Sequence, residues 1–234
     1  MPVSAPATAL IIPALNEEPV IARMLAAIPP DLYRAVIVAD NGSEDKTAEI
    51  AAGCGAIVVR EPERGYGAAC LAAIAALPPE IGIVVFQQAD LSEDPEDARA
   101  LLAPILAGAA ELVIGSRTLG RADRGALLPH QEFGNRLATT LIRWIWGHRY
   151  TDLGPFRAIT RPALERLRMR DRNYGWTVEM QVRALQERLR VAEVPVRSRV
   201  RAAGINKVSG DWRASLRAGQ VILTTIARLA IRGA

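Results

Sequence analysis

Cysteine is nearly missing, with Cys54 and Cys70 alone in 234 residues. Both lie in apolar helical or strand-edge contexts without metal-ligand spacing, which excludes a disulfide framework and a thiolate metal site. A reduced, intracellular protein is the expectation. No stretch reaches the roughly 20 consecutive apolar residues that a bilayer-spanning helix needs. The opening Met-Pro-Val-Ser-Ala-Pro places no basic region before a long apolar core, so no signal peptide is expected. Aromatic residues make up only 5%. They form no stacking series and no binding motif accompanies them, so nucleic acid is not an expected partner despite the positive net charge.

What the chain does have is apolar content and unevenly placed charge. Half of the residues are hydrophobic, enough for the core of one large domain, and disorder is excluded. Residues 1–115 carry 6 Lys+Arg against 16 Asp+Glu, a net of −10, and residues 116–234 carry 23 against 9, a net of +14; together these give the +4 of the whole chain. Of those 23 basic residues only Lys207 is not arginine. The planar fork of arginine suits phosphate recognition, and an arginine-rich genome is the alternative source of the bias.

The stretch 81–95 organises the chemistry. An apolar run at 83–86 ends abruptly in Gln-Gln-Ala-Asp90 and then in an acidic segment that opens a helix at Pro95. This reads as a buried parallel strand delivering Asp90 to the carboxyl edge of a sheet, where open α/β folds bind ligands. An ordinary polar turn is the competing reading of this stretch alone, and the neighbouring strand ends favour the first. Thr8-Ala-Leu-Ile-Ile-Pro13 is a strand followed by Asn16, a candidate helix cap with acids after it. Ala35-Val-Ile-Val-Ala39 is a second, ending in Asp40, with Gly42 for a tight turn and Ser43 or Asp45 to cap the next helix. Residues 56–59 form a third strand and 111–116 a fifth, after a helix over 95–106. Strands alternating with helices at this spacing predict an α/β fold with a doubly wound, mostly parallel sheet flanked by helices. Later come a helix over 132–146, a helix beginning near Tyr174, and a strand at 191–196.

The series Ile12-Pro-Ala-Leu-Asn-Glu-Glu18, Asp40-Asn-Gly-Ser-Glu-Asp-Lys-Thr47, Arg64-Gly-Tyr-Gly67, Gln88-Ala-Asp90 and Gly115-Ser-Arg117 resembles the family-two nucleotide-sugar glycosyltransferases, whose fold is called GT-A. Thr151-Asp-Leu-Gly-Pro-Phe-Arg-Ala158 is similar to the Asp-x-x-Ser-Gly-Phe-Arg segment of the polyprenyl-phosphate (dolichol-phosphate) mannosyl- and glucosyltransferase branch. The likeness covers residues 8–200. It divides the chain into a glycosyltransferase domain over 1–210, with a nucleotide half to about 117 and an acceptor half from 118, and a C-terminal amphipathic helix over 211–234.

The resemblance implies roles for matching positions. Pro13, Leu15, Asn16 and Glu17 border the base and ribose of a nucleotide-sugar donor, with Glu17 as the polar contact. Asp40 reads the nucleobase. Ser43 and Asp45 hold their loop. Gly65 and Gly67 permit close backbone approach near the nucleotide, a plain loop pair being the other reading. Gly204-Ile-Asn-Lys-Val-Ser-Gly210 matches a mobile segment in which Lys207 and Ser209 meet the diphosphate. The family signature Asp-x-Asp, which helps bind a divalent ion (Mg or Mn), stands here as Gln88-Ala-Asp90. Hard cations prefer anionic oxygens, so Asp90 is the expected ligand, Gln88 a weak one, and metal binding is reduced. A natural variant with weak metal dependence, an altered residue, and a homologue that binds without efficient turnover all fit this departure.

On the acceptor side, the resemblance places Arg117, Arg121 and Arg136 against the phosphate of a polyprenyl-phosphate or other lipid, with a glycine-containing basic loop over 117–130 closing above. A solvated basic loop is the alternative. Asp152 and Arg157 flank the turn at Gly154-Pro155 as a catalytic element or a structural ion pair. Glu179 is either the base for a hydroxyl acceptor or a positioning group, since an anionic phosphate needs no base. The C-terminal helix mixes Trp212, Leu216, Ile222, Ile226 and Leu229 with arginines, which predicts peripheral attachment to an anionic membrane, on the cytoplasmic face, joined by Trp144 and Trp146. Packing against the core, or against a second subunit in a homo-oligomer, is the alternative for both helices. The expected reaction is inverting sugar transfer, with Asp90, Arg117, Asp152 and Glu179 as the candidate catalytic groups. A noncatalytic nucleotide-sugar-binding homologue is the reading from a different class.

Overall fold

The apolar runs form the centre of a single seven-stranded sheet. In the computed structural model, which describes residues 6–123, 125–126, 128–201 and 212–232 (backbone alone at 212–218 and 232), the strands are β1 (Ala7–Ala14), β2 (Ala35–Asp40), β3 (Ile57–Arg60), β4 (Ile81–Phe86), β5 (Leu112–Ala122), β6 (Arg157–Thr160) and β7 (Val191–Ser198). Their order is β3-β2-β1-β4-β6-β5-β7. β1 pairs in parallel with β2 and β4, β2 with β3, and β5 with β7, whereas β6 runs antiparallel between β4 and β5. The doubly wound, mostly parallel α/β sheet is as expected. β6 is an addition, and β5 runs on to Ala122, taking the first part of the basic 117–130 segment into the sheet.

The strands read as continuous apolar runs because both of their faces are covered. Along β1, Ala9 and Ile11 point into one cluster and Leu10 and Ile12 into the other, all fully buried. The first cluster lies under α3 (Tyr66–Ala75), α5 (Pro129–Trp146), α6 (Arg161–Leu167), α7 (Trp176–Gln186) and α8 (Trp212–Arg232). There Phe86 of β4 meets Trp176 edge to face, with ring centroids 6.1 Å apart. The second lies under α1 (Ile21–Ala26), α2 (Thr47–Gly53) and α4 (Ala98–Leu106).

α8 packs in part on the core, one of the uses expected of it. Its Ile226 and Leu229 are buried in the first cluster, with Ile222 packed against it. The Gln186 side chain of α7 donates to the Leu229 carbonyl at 3.2 Å, and the Thr225 hydroxyl donates to Asp171 at 3.3 Å. Ile222, Ile226 and Leu229 are thus used in packing on the core, beside α5 and α7, whereas Leu223 and Ile231 of the same helix are exposed. Among the described residues no helix is long and apolar enough to cross a membrane.

Candidate active site

Strand order reverses between β1 and β4: successive strands run outward from β1 through β2 to β3, and then from β4 toward the opposite edge. The carboxyl ends of β1, β2 and β4 meet at that switch point, which collects Asn16 and Glu17, Asp40, and the segment 87–94. Two left-handed, non-glycine residues shape it, Asn16 (φ 48°) and Leu91 (φ 57°). Leu91 turns the chain so that the Ser92 N–H returns to the Asp90 carboxylate at 3.0 Å. Asn16 does not cap α1. Its side-chain amide oxygen accepts from the Glu44 N–H at 2.8 Å, and its backbone N–H donates to the Ser43 hydroxyl at 2.9 Å, tying the end of β1 to the loop after β2. Asp45, rather than Ser43, meets the start of α2, accepting from the Thr47 N–H at 3.0 Å.

At the end of β2, Asp40 is the last residue of the strand, in register with Ala14 and Arg60. One carboxylate oxygen accepts from the Ser43 N–H at 3.2 Å. Asp40, Glu18, Ser43, Arg60 and Glu61 line a cavity of about 670 Å³. Pro13 and Leu15 are only partly buried at the same strand end. Asn41, which sequence reasoning missed, braces this side: its amide donates to the carbonyls of Glu61 (3.2 Å) and Glu63 (2.6 Å), and its oxygen accepts from the Gly65 N–H (2.7 Å). Gly65 and Gly67 do allow a close backbone approach, but to another part of the chain. A β-carbon on Gly65 would lie 2.0 Å from the Arg172 carbonyl oxygen, and one on Gly67 2.0 Å from that of Asp171. Lys207 and Ser209 lie outside the described residues.

At the end of β4, Asp90 is buried, and its second oxygen receives the Arg201 guanidinium at 3.1 Å. The same guanidinium binds both oxygens of Glu17 across the switch point. Sequence reasoning did not single out Arg201, which is 111 residues from Asp90 and 184 from Glu17. Gln88 accepts a long hydrogen bond from the Ser92 hydroxyl (3.4 Å), while its backbone N–H donates to the Glu93 carboxylate (3.1 Å). The fit to a divalent ion is poor. One carboxylate, one amide already engaged and a guanidinium make a weak donor set for a hard cation, and among the described residues no three His, Cys, Asp or Glu side chains converge on one point.

Glu93, also missed, is nearly fully buried beside Asp90. Burial, then the negative charge of Asp90, pushes its carboxyl up to about 8, against the opposing pull of the Gln88 N–H and Arg117. Below its ordinary value of 4.5 the group is protonated in both the folded and unfolded states. Between 4.5 and about 8 the unfolded chain has released a proton that the folded chain keeps, so stability falls as pH rises through that window and levels off above it. Glu93→Gln should thus leave the urea midpoint near its wild-type value at pH 4.5 and raise stability by a few kcal/mol above pH 8. An equal change at both pH values would mean that Glu93 is ionised throughout.

The chain from Arg117 onward supplies a second cleft, of about 650 Å³, lined by Arg117, Asn135, Arg136, Arg143, Arg149 and Asp152 among others. Asp152 is buried and grips Arg117 with both oxygens, accepting from Nε (2.8 Å), an Nη (2.7 Å) and the backbone N–H (2.9 Å). Arg117 is thereby fixed at the cleft wall. The expected partnership of Asp152 with Arg157 is not formed. Arg157 is fully buried and donates to the carbonyls of Thr177 and Gly154. Arg136, Arg143 and Arg149 have no ion-pair partner among the described residues. Arg121 does not line the cleft, since β5 continues past it and its alternation turns Thr118, Gly120 and Ala122 there instead. Arg143 and Arg149 take its place; their position on the last turn of α5 and in the segment after it was the available signal.

Glu179 does not reach this cleft. It is buried at the start of α7, where one oxygen accepts from the N–H groups of Arg170 and Asp171 (3.0 and 2.6 Å) and the other from Arg183 (2.9 Å). That geometry holds a turn together and leaves no oxygen aimed at a substrate.

Comparison with known proteins bears on the family and the fold. The sequence profile of glycosyl transferase family 2 matches residues 9–168. An uncharacterised glycosyltransferase of Mycobacterium tuberculosis is 39% identical over 214 residues, covering 90% of this chain and 93% of that protein. A dolichyl-phosphate hexose transferase of Haloferax volcanii is 31% identical over 196 residues, covering 83% of each. Among solved structures, glucosyl-3-phosphoglycerate synthase from Mycobacterium tuberculosis, in complex with Mn2+ and UDP-glucose, superposes with a TM-score of 0.79 at 25% identity, over 97% of this chain and 80% of that one. With the family profile spanning most of the sheet, and a seven-stranded, mostly parallel sheet of the same fold as that synthase, this chain belongs to glycosyl transferase family 2 and is a GT-A glycosyltransferase.

Proposed function

We propose that this enzyme transfers a hexosyl group, with inversion, from a nucleotide-sugar donor to the phosphate of a polyprenyl-phosphate or related lipid. The observation that carries the reading is the acceptor cleft. Arg117 is fixed by Asp152, and Arg136 and Arg143, seven residues apart on α5, spread further positive charge over about 10 Å of helix. Two carboxylates line it among the described residues: Asp152, which is committed to Arg117, and Glu132, on the first turn of α5. A phosphate oxygen, already anionic, attacks the anomeric carbon as the bond to the donor diphosphate breaks and its electron pair leaves with the diphosphate; no proton has to be removed. The chain's part is alignment and charge neutralisation. The kinship with a dolichyl-phosphate hexose transferase supports the lipid acceptor, and the likeness to a UDP-glucose complex supports the donor class. The test is incubation with a panel of radiolabelled nucleotide sugars and bacterial lipid extract. Label should move into an acid-labile lipid-phosphate product, and its appearance only in acid-stable glycosides would overturn the phosphate acceptor.

Asp40 is proposed as the base-reading group. Asp40→Ala should weaken nucleotide binding roughly 10- to 100-fold in calorimetry, the worth of a hydrogen bond to a charged group. Asp40→Asn, which keeps an acceptor for the Ser43 N–H, separates loss of recognition from loss of the loop. Equal losses of binding and melting temperature in Asp40→Ala would mark the residue as structural.

The same reading assigns membrane contact to α5 rather than α8. Phe133 (69% exposed), Leu137 and Trp144 (78% exposed) fall within about 40° of one another around this helix, beside Arg136 and Arg143 of the cleft. In flotation assays the protein should bind anionic vesicles, less so at high salt, and the double variant Phe133→Ala, Trp144→Ala should bind at least ~10-fold more weakly. Unchanged binding of that variant would remove α5 from the interface.

A further inference from the structure

Arg201 occupies the place where a cation is needed. Its guanidinium, with a side chain 18% exposed, bridges Asp90 at the end of β4 and Glu17 at the end of β1, two carboxylates that are themselves 10% and 8% exposed. We propose that Arg201, rather than a divalent ion, supplies the positive charge that meets the donor diphosphate in this enzyme, so that donor binding proceeds without added metal. The inference rests on the nucleotide-sugar reading above and concerns how that donor is held.

Three observations support it. Gln88 stands where a carboxylate would strengthen a metal site, and its side-chain oxygen faces the Ser92 hydroxyl. The oxygens of Asp90 are both engaged, one by the Ser92 N–H and the other by Arg201 at 3.1 Å. A divalent ion on that second oxygen would stand against a guanidinium of like charge, in a site that burial shields from solvent screening. A guanidinium is permanently charged and presents planar donors that match phosphate oxygens. The carboxylates also explain why Arg201 is in place before the donor arrives. Donor binding then draws Arg201 away from Glu17. The exchange hands the guanidinium to the diphosphate and frees the Glu17 carboxylate for the ribose hydroxyls at the adjacent strand end.

Calorimetry on the full chain with UDP, GDP, ADP, CDP and dTDP as probes, each in EDTA and in manganese, tests this. Wild type should bind one of these nucleotides with affinities agreeing within about twofold in the two buffers. Arg201→Ala should bind it roughly 10- to 100-fold more weakly in EDTA, and Arg201→Lys should recover part of the loss. Gln88→Asp combined with Arg201→Ala should bind more tightly in manganese than in EDTA, because an anionic ligand replaces the amide and the competing cation is gone. Wild-type binding that requires manganese overturns the proposal, as does Arg201→Ala binding like wild type in EDTA. The wild-type comparison decides even if Arg201→Ala fails to fold. If none of the nucleotides binds in either buffer, the donor assignment beneath the proposal falls, an outcome distinct from manganese-dependent binding.

Discussion

Arg117→Ala should lower turnover by about 10²- to 10³-fold in the lipid-transfer assay, the scale seen when a preorganised group that stabilises reacting charge is removed. The expectation follows from the bidentate grip of Asp152, which fixes Arg117 before substrate arrives. In the lipid-phosphate transfer proposed above, its charge then requires no reorganisation as the acceptor phosphate is brought against the anomeric carbon. Asp152→Ala should fall between this variant and wild type, because the guanidinium remains but is free to move. Glu179→Gln should behave differently. Its carboxylate holds the N–H groups of Arg170 and Asp171 and the Arg183 side chain, so the variant should lose about 1–3 kcal/mol of stability while each folded molecule keeps near wild-type turnover. Should Glu179→Gln cost more turnover than Arg117→Ala, with both folded, the acceptor is a hydroxyl and Glu179 its base.

Gly67→Ala should lower the melting temperature by about 10 °C. A β-carbon there would lie 2.0 Å from the Asp171 carbonyl oxygen and 2.8 Å from its carbon, so backbone rather than a flexible side chain must move. The contact is also bonded, since the Ala68 N–H donates to the Arg172 carbonyl at 2.9 Å. Forcing apart two backbone segments belongs with the most costly single substitutions, about 3–5 kcal/mol, which for a chain of this length corresponds to shifts of that size. Nucleotide affinity of the remaining folded protein should change little, the opposite of Asp40→Ala. A Gly67→Ala protein that melts like wild type yet no longer binds nucleotide would return this glycine to the donor site.

The contrast between these glycines and Asp40 shows where patterning in the chain stops being informative. The spacing Arg64-Gly-Tyr-Gly67 correctly signals that backbone comes close, and nothing in it says which backbone. Asp40 is different, because a carboxylate at the last position of a buried parallel strand has only the sheet edge to occupy. Glu179 sits at a helix start, where an acid serves either the helix or a substrate, and only its three bonds to residues 170, 171 and 183 decide between them. Likewise the apolar stripe of α8 suits a bilayer or a core equally well, and only the folded chain shows that Ile222, Ile226 and Leu229 go to the core.

Local periodicity is sufficient for the parallel part of the sheet. Apolar runs over 8–12, 35–39 and 83–86, each followed by helix-starting residues, set strands whose carboxyl ends share one edge, since successive parallel strands joined by helices all point the same way. Asn16, Glu17, Asp40 and Asp90 are therefore placed at one edge by the strand pattern alone. The antiparallel insertion of four-residue β6, the pairing of Arg117 with Asp152 rather than Arg157, and the bridge from Arg201 to Glu17 and Asp90 came only from the folded chain. Propensity and periodicity act over one element, whereas these contacts join residues 35, 184 and 111 positions apart. An arginine in a basic segment has many carboxylates of equal local merit, and the one it meets is chosen by the packing that brings distant strand ends together and excludes water from the pair.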